Sequence, residues 1–338
     1  MSADDLRGRP ARVDRSGSPR ESLKETRERI SRRLRLASLF AAALIAVALV
    51  WTKQDPQDRT LVLQSVADED ATAAIPLHVN ARVERWLQAF QTTRRREFEH
   101  LLARRELFSE MIRGKLRDRD MPEELLYMAM IESGMSPFAV SRVSAVGLWQ
   151  FMSPTAVQYG LRVDEYVDER RDPVRATDAA LDYLLWLHGR FDSWYLAAAA
   201  FNAGPGRVER ILNRHADGRV GDEDIYWQVL EHLPRETREY VPKLIAVTLL
   251  ANDADAVGFA AEVEPYRYDN VFVPGGTQLA SIAETLGVDR RILTELNPHL
   301  TKGMTPPGEA YGVRVPVGGS AAVVAEMAST MVKRTDDD

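Results

Sequence analysis

Residues 122–137 read Pro122-Glu123-Glu124-Leu125-Leu126-Tyr127-Met128-Ala129-Met130-Ile131-Glu132-Ser133-Gly134-Met135-Ser136-Pro137. How this stretch must be housed decides the fold. Pro122 suits a helix start, where its missing N–H costs nothing, and Glu123 and Glu124 lie in the first turn, where the helix dipole favours anions. From Leu125 to Ile131 every side chain is apolar or aromatic, so the helix is hydrophobic around nearly its whole circumference. Stepping back from Glu132 by three, four and seven gives Ala129, Met128 and Leu125, so the carboxylate shares its face with apolar neighbours. Such a helix is buried, and an acid at its end loses part of its water. Desolvation raises a carboxyl pKa towards neutrality, which a general acid working near pH 7 requires. Read alone, Glu132 fits equally well as a cap or ion-pair partner beside Ser133-Gly134.

The flanking sequence separates these readings. Downstream come Ser141, then Gly147-Leu148-Trp149-Gln150-Phe151-Met152-Ser153-Pro154-Thr155, then Ala200-Phe201-Asn202-Ala203-Gly204-Pro205-Gly206, and last Glu239-Tyr240-Val241-Pro242-Lys243. With Glu132-Ser133, these motifs in this order resemble the lytic transglycosylases of the goose-lysozyme-like superfamily, most closely the membrane-bound lytic murein transglycosylases of the D type. The resemblance spans residues 75–320. It implies a mainly α fold, a lysozyme-like (goose-type, SLT) helical domain, with Glu132 as catalytic acid and base. It also implies substrate-binding roles for Ser133, Ser141, Gln150, Met152, Asn202 and Tyr240, with Tyr240 facing Glu132. Two residues depart from the pattern: Phe201 stands where Tyr is usual, and Ser144 where many relatives have Gly. From the residues alone, Asn202 also fits a helix C-cap and Tyr240 a packed core tyrosine.

The chemistry that the resemblance implies is cleavage of the β-1,4 bond between N-acetylmuramic acid and N-acetylglucosamine in peptidoglycan, leaving a 1,6-anhydro sugar. Most glycosidases pair two carboxylates, whereas the motifs here offer one. One suffices if the sugar's own 6-hydroxyl is the nucleophile and Glu132 acts first as acid and then as base. A muramidase using Asp164 or Asp172 to activate water, and a non-catalytic peptidoglycan-binding protein, remain the alternatives. No cofactor is implied and no metal, since the six histidines are scattered without ligand spacing. A net charge of −6 argues against nucleic acid as partner; peptidoglycan glycan strands are the expected one.

Organisation follows composition. Residues 1–35 are polar and Arg-rich, and residues 36–52 carry the apolar run Leu36 to Trp51. Counted with its flanks, this run reaches the roughly 17–25 residues of a bilayer span. The basic flank precedes it, so the expectation is a single-pass inner-membrane anchor with the N-terminus in the cytoplasm and the catalytic domain in the periplasm; a cleaved signal peptide is the alternative. With no cysteine in the chain there is no disulfide and no lipid-bearing Cys, unlike the lipoprotein that the resemblance would describe. Residues 53–75 read as a linker and 76–255 as the catalytic domain. Within the latter, Asp172-Pro173 and Ser193 start helices, and Arg94-Arg95-Arg96 reads as a solvated helix face. Residues 266–318 read strand, helix, helix, strand and resemble a LysM module, a βααβ unit whose role is glycan binding or simple packing. Because this unit lies outside the four motifs, its removal is expected to weaken glycan binding more than turnover. Residues 319–338 read as a tail.

Overall fold

The computed structural model of the protein describes residues 74–256 and 263–336. The expected basic segment 1–35, the anchor 36–52 and nearly all of the linker 53–75 lie outside the described residues. At the end of that linker, Ile75 belongs to the core, and the Pro76 carbonyl accepts a hydrogen bond from the Tyr195 hydroxyl. Among the described residues no helix is long and apolar enough to cross a membrane.

The elements run α1 (Ala81–Gln91), α2 (Arg95–Arg117), a 3₁₀ turn (Glu123–Leu125), α3 (Leu126–Ser133), α4 (Ser153–Gln158), α5 (Pro173–Phe191), α6 (Trp194–Ala203), α7 (Pro205–His215), α8 (Glu223–Val229), α9 (Arg235–Ala256), β1 (Asp269–Val273), α10 (Leu279–Leu286), α11 (Arg290–Leu296), β2 (Tyr311–Val315) and α12 (Ser320–Asp336). The protein is thus mainly helical, with one small sheet in which β1 and β2 pair antiparallel. Residues 81–117 form two helices, α1 and α2, broken at 92–94. Arg94 there forms a bidentate pair with Glu97, and Arg95 pairs with Glu99.

Local chemistry sets the helix starts. Asp172 accepts from the Val174 and Arg175 amides at the head of α5, with Pro173 in the first position. Ser193 caps α6, and Glu223 reaches across from α8 to accept from the Trp194 and Tyr195 amides, each at 2.8 Å. The alanines of α6 at positions 197–200 are all fully buried, which lets neighbouring backbones approach closely. Helix α9 packs on α1, α6 and α3. It carries Pro242 in its interior, and a proline there removes the donor that the carbonyl four residues earlier would use. That carbonyl is Arg238 O. The buried Tyr226 hydroxyl lies 3.3 Å from it and 3.1 Å from Thr237 O, so α8 supplies the polar partner that Pro242 takes away.

The C-terminal β1-α10-α11-β2 arrangement matches the expected strand and helix positions closely. Its centre is Asn297, fully buried, whose amide donates to Leu293 O and Arg314 O and accepts from Arg314 N at 2.8 Å. The tail expected at 319–338 is corrected: residues 320–336 are helix, and Val323 is buried against the sheet side of this second core because apolar residues recur at helical spacing.

The unit, which lies outside the four motifs in sequence, is packed on the helical domain. Arg314 Nη2 contacts both oxygens of Asp172, at 2.8 and 2.7 Å, with Asp172 only 3 % exposed. Burial alone would raise the Asp172 carboxyl, but the Arg314 charge outweighs it and holds the pKa below the usual carboxylate range. Beside them, burial lowers the His299 pKa to about 4, so that imidazole is neutral at pH 7. Residues 299–301 extend the contact: Asp168 N donates to His299 O, Thr301 N to Tyr166 O, and Val167 bridges Leu300 and is buried in the second core. Tyr266 adds an amide bond to Leu107 O and a hydroxyl bond to Leu296 O. The pattern of single-residue hydrophobicity could not show this, because both partners of the pair are charged and distant in sequence.

Arg314→Met would leave the Asp172 carboxylate buried without its counter-charge, a change that costs about 3–5 kcal/mol in comparable buried pairs. Urea unfolding is expected to show a loss at the lower end of that range, since the α5 amides still satisfy Asp172. A midpoint unchanged from wild type would mean the pair holds nothing.

Candidate active site

Helix α3 is buried from Leu126 to Met130 and ends at Gly134, whose φ of +62° closes the helix in the left-handed conformation. The next residue, Met135, also has positive φ. Glu132 therefore sits one turn from an abrupt stop. Its residue as a whole is partly exposed, as a group that meets a ligand must be. Enough protein still surrounds the carboxyl that burial pushes its pKa up to about 7. The Tyr240 hydroxyl donates to Glu132 Oε1 at 2.7 Å, which favours the ionised acid and limits that rise. Tyr240 is itself buried, and burial first, then the Glu132 charge, moves its pKa well above 10. At neutral pH it is a donor only in its un-ionised form, and the acid it addresses is poised between protonated and charged.

The corner after α3 is fixed from behind. Gly147 has φ +84°, and a Cβ there would lie 1.7 Å from Arg170 O, so no other residue fits. Arg170, paired with Asp168, sends Nη1 to Ser144 O and Phe151 O and grips the corner from outside. The Trp149 indole, fully buried, donates to Thr177 Oγ1 on α5.

Ser133 Oγ lies 2.8 Å from Leu148 O and accepts from Ser136 N, tying the end of α3 to the corner. Ser141 Oγ accepts from the Val143 and Ala145 amides and shapes a turn. Ser133 Oγ is thus engaged with backbone on both sides, whereas Ser141 Oγ accepts twice and donates to no described residue. Gln150, at φ +49°, donates through Nε2 to Gly147 O at 2.8 Å, and no described residue donates to its Oε1. Met152 is 44 % exposed at the head of α4. Asn202 is not the cap of α6; that is Gly204. Its Oδ1 accepts from Thr237 Oγ1 at 2.7 Å and its Nδ2 lies 3.3 Å from Glu236 Oε1, so it joins α6 to the start of α9. Phe201 packs against Tyr183, with ring centroids 5.4 Å apart, and Phe151, at 6.4 Å, a setting that asks for no hydroxyl.

The two carboxylates that a water-activating hydrolase would use are committed elsewhere. Asp164 accepts from the Tyr166 and Val167 amides and pairs with Arg162, and Asp172 is the buried partner of Arg314. Sequence reading missed Glu236. Its charge acts on Glu132, raising its pKa further, and it lies one helical turn before Tyr240 on α9. That i, i+4 spacing from Tyr240 was the available signal.

Residues 110–220 match the family model described as the transglycosylase SLT domain, and residues 267–330 that of the lytic transglycosylase MltD LysM-like domain. The chain carries an SLT domain followed by an MltD-type LysM-like domain. Among curated relatives, it is 32 % identical over 206 residues to the membrane-bound lytic murein transglycosylase D of Escherichia coli strain K12, covering 60 % of this chain and 44 % of that protein. It is 33 % identical over 153 residues to the soluble lytic murein transglycosylase of Salmonella typhimurium strain LT2, covering 43 % and 22 %. Against the solved structure of the 70 kDa soluble lytic transglycosylase of Escherichia coli the identity is 25 % and the TM-score 0.36, over 44 % of this chain and 24 % of that one. The chain spans less than half the length of these relatives. Glu132 and the Gly147 corner lie inside the SLT match, whereas Glu236 and Tyr240 lie beyond its end, on the helix that closes the domain.

Tyr240→Phe removes the only described donor to Glu132 and leaves its burial in place. The Glu132 titration is expected to move to higher pH, read by carboxyl-carbon NMR. A titration unmoved or shifted downward would show that the hydrogen bond does not act on the acid.

Proposed function

We propose that the protein is a peptidoglycan lytic transglycosylase, cleaving the bond between N-acetylmuramic acid and N-acetylglucosamine with formation of 1,6-anhydro-N-acetylmuramic acid. The observation that carries this reading is Glu132, a single partly covered acid with a pKa of about 7 and a tyrosine hydroxyl 2.7 Å from Oε1. A group titrating near the working pH is available in both protonation states, as a residue serving first as acid and then as base must be.

The steps balance on that one group. Protonated Glu132 gives its proton to the glycosidic oxygen as the C1–O bond breaks, and the departing sugar carries that proton away. The muramoyl 6-hydroxyl oxygen bonds to C1, and its proton passes to the Glu132 carboxylate, restoring the starting state without water. Tyr240 stabilises the intervening carboxylate through its hydrogen bond. Gln150, through Oε1, and Met152 are the residues of the corner that offer a polar and an apolar surface to the sugars, while Ser133, Ser141 and Asn202 act by holding the corner and α9 in place. The hydrolysing alternative loses support because Asp164 and Asp172 are engaged in other bonds. We further propose that residues 36–52 anchor the protein in the inner membrane, with the SLT domain facing the periplasmic wall; the name of a membrane-bound relative supports attachment to a membrane.

Glu132→Gln keeps the shape of the acid but can neither give nor take the proton. Release of anhydromuropeptides from purified sacculi, followed by mass spectrometry, is expected to fall by at least about 10²- to 10⁴-fold. Stability moves the other way. An acid whose folded pKa lies above its unfolded value of about 4.3 weakens folding as pH rises between the two, so the Gln variant should melt higher than wild type at pH 8 and close to it at pH 4. Products with a free reducing end from the wild type would replace this mechanism by hydrolysis, and absence of any product would favour a binding protein.

A further inference from the structure

Glu236, Tyr240 and Lys243 fall at i, i+4 and i+7 on α9 and form one stripe, and all three act on Glu132. Two of them are already accounted for: Tyr240 bonds the acid, and Glu236 is held by Asn202. Lys243 is not. It is partly covered, and burial first, then the charge of Arg94, disfavours its ammonium. Nevertheless it forms no ion pair and no hydrogen bond with any described residue; its near neighbour is the Trp86 ring, 5.6 Å from Nζ. Two arginines of the same region are matched. Arg94, 5.4 Å from the same ring, is paired twice with Glu97, and Arg82 is paired with Glu231 and Glu239. Trp86 is fixed in turn, its indole donating to Glu239 at 2.9 Å. A covered charge is ordinarily paired, because losing water without gaining a counter-ion is costly. An ammonium with no direct ion pair, on the stripe that carries the acid's own hydrogen-bond donor and with the charges of Glu97, Glu132 and Glu236 acting on it only from beyond contact, is therefore a seat for an anion that arrives with a ligand.

We propose that Lys243 is a specificity residue that binds the carboxylate carried by the muramoyl unit seated at Glu132. This rests on the transglycosylase reading and narrows it. N-Acetylglucosamine has no acidic group, whereas muramic acid carries a lactyl carboxylate, free in peptide-stripped glycan and joined through an amide to a stem with its own carboxylates in the intact wall. Lys243 thereby distinguishes which of the two alternating sugars occupies the site, placing the muramoyl 6-hydroxyl, rather than a glucosaminyl one, where it attacks C1. Trp86 holds the lysine stem in place, and its ring face attracts the ammonium by a cation–π contact weaker than a charge-assisted bond to an anion.

The test measures binding in the Glu132→Gln background, so that nothing is cleaved, using four probes: stripped glycan oligosaccharides with the lactyl carboxylate free, the same with it methyl-esterified, the same bearing peptide stems, and a chitooligosaccharide of equal length. Lys243→Met is expected to weaken the free-carboxylate probe by about 10- to 100-fold, the range for a charge-assisted hydrogen bond. It should leave the ester and the chitooligosaccharide within about twofold, and Lys243→Arg should recover most of the loss. Loss on the stripped probe alone names the lactyl group as the anion, and loss on the stem-bearing probe alone names the peptide. Equal weakening of all four probes, or none, overturns the proposal, as does a change confined to the pH dependence of turnover in Lys243→Met with Glu132 intact. Failure of the transglycosylase reading is seen separately, as wild-type protein that releases no anhydro product from sacculi while the binding preference persists.

Discussion

The structure turns on one hydrogen bond, from the Tyr240 hydroxyl on α9 to the Glu132 carboxyl on α3. A carboxyl in a helix packed on nearly all sides is costly as an anion and correspondingly stronger as a base, and a buried phenol is an unstable donor unless something accepts from it. Placing the two together satisfies both and leaves the acid near neutrality. Everything around them serves to keep α3 and α9 at that separation. The Ala-rich α6 lets α9 approach, Asn202 joins α6 to the first turn of α9, and Tyr226 repairs the carbonyl that Pro242 would otherwise strand.

A second set of bonds supports the corner opposite. The Gly147 backbone lies against Arg170, Arg170 is held by Asp168, and Asp168 takes its backbone partner from His299 in the LysM-like domain. Four residues after Asp168, Asp172 caps α5 and receives Arg314. The C-terminal domain is therefore continuous with the loop that backs the corner, through the apolar contacts of Val167 and Tyr266 and through buried polar groups. Such contacts are specific in geometry and intolerant of losing one partner. Its docked face contributes to the shape of the SLT domain.

Much of this was legible in the residues. The apolar circumference of Leu125–Ile131 dictated a buried helix and a desolvated Glu132, the Asp172-Pro173 and Ser193 signals marked two helix starts, and the strand and turn spacing after 266 matched the βααβ order. These are local matters, settled by periodicity and capping. Other assignments could not be made locally. Ser133, Ser141 and Asn202 carry polar atoms suited to a sugar, and only the fold shows the partners those atoms also have: Leu148, the 143 and 145 amides, and Thr237 and Glu236. The apparent tail after 319 became a helix only because a second core was present to receive Val323.

The sequence by itself determined that one acid would be buried at the end of an apolar helix and that a compact strand-helix-helix-strand unit would follow, since both depend on side-chain pattern within a single segment. Only the tertiary structure decided which groups meet that acid. Tyr240 lies 108 positions away, Glu236 and Lys243 share its helical stripe, and Arg314 lies 142 positions from Asp172. The physical reason is that a charge has no preferred partner in sequence. Its energy is set by the distance to other charges and by the water removed from around it, and both quantities exist only once the helices have packed.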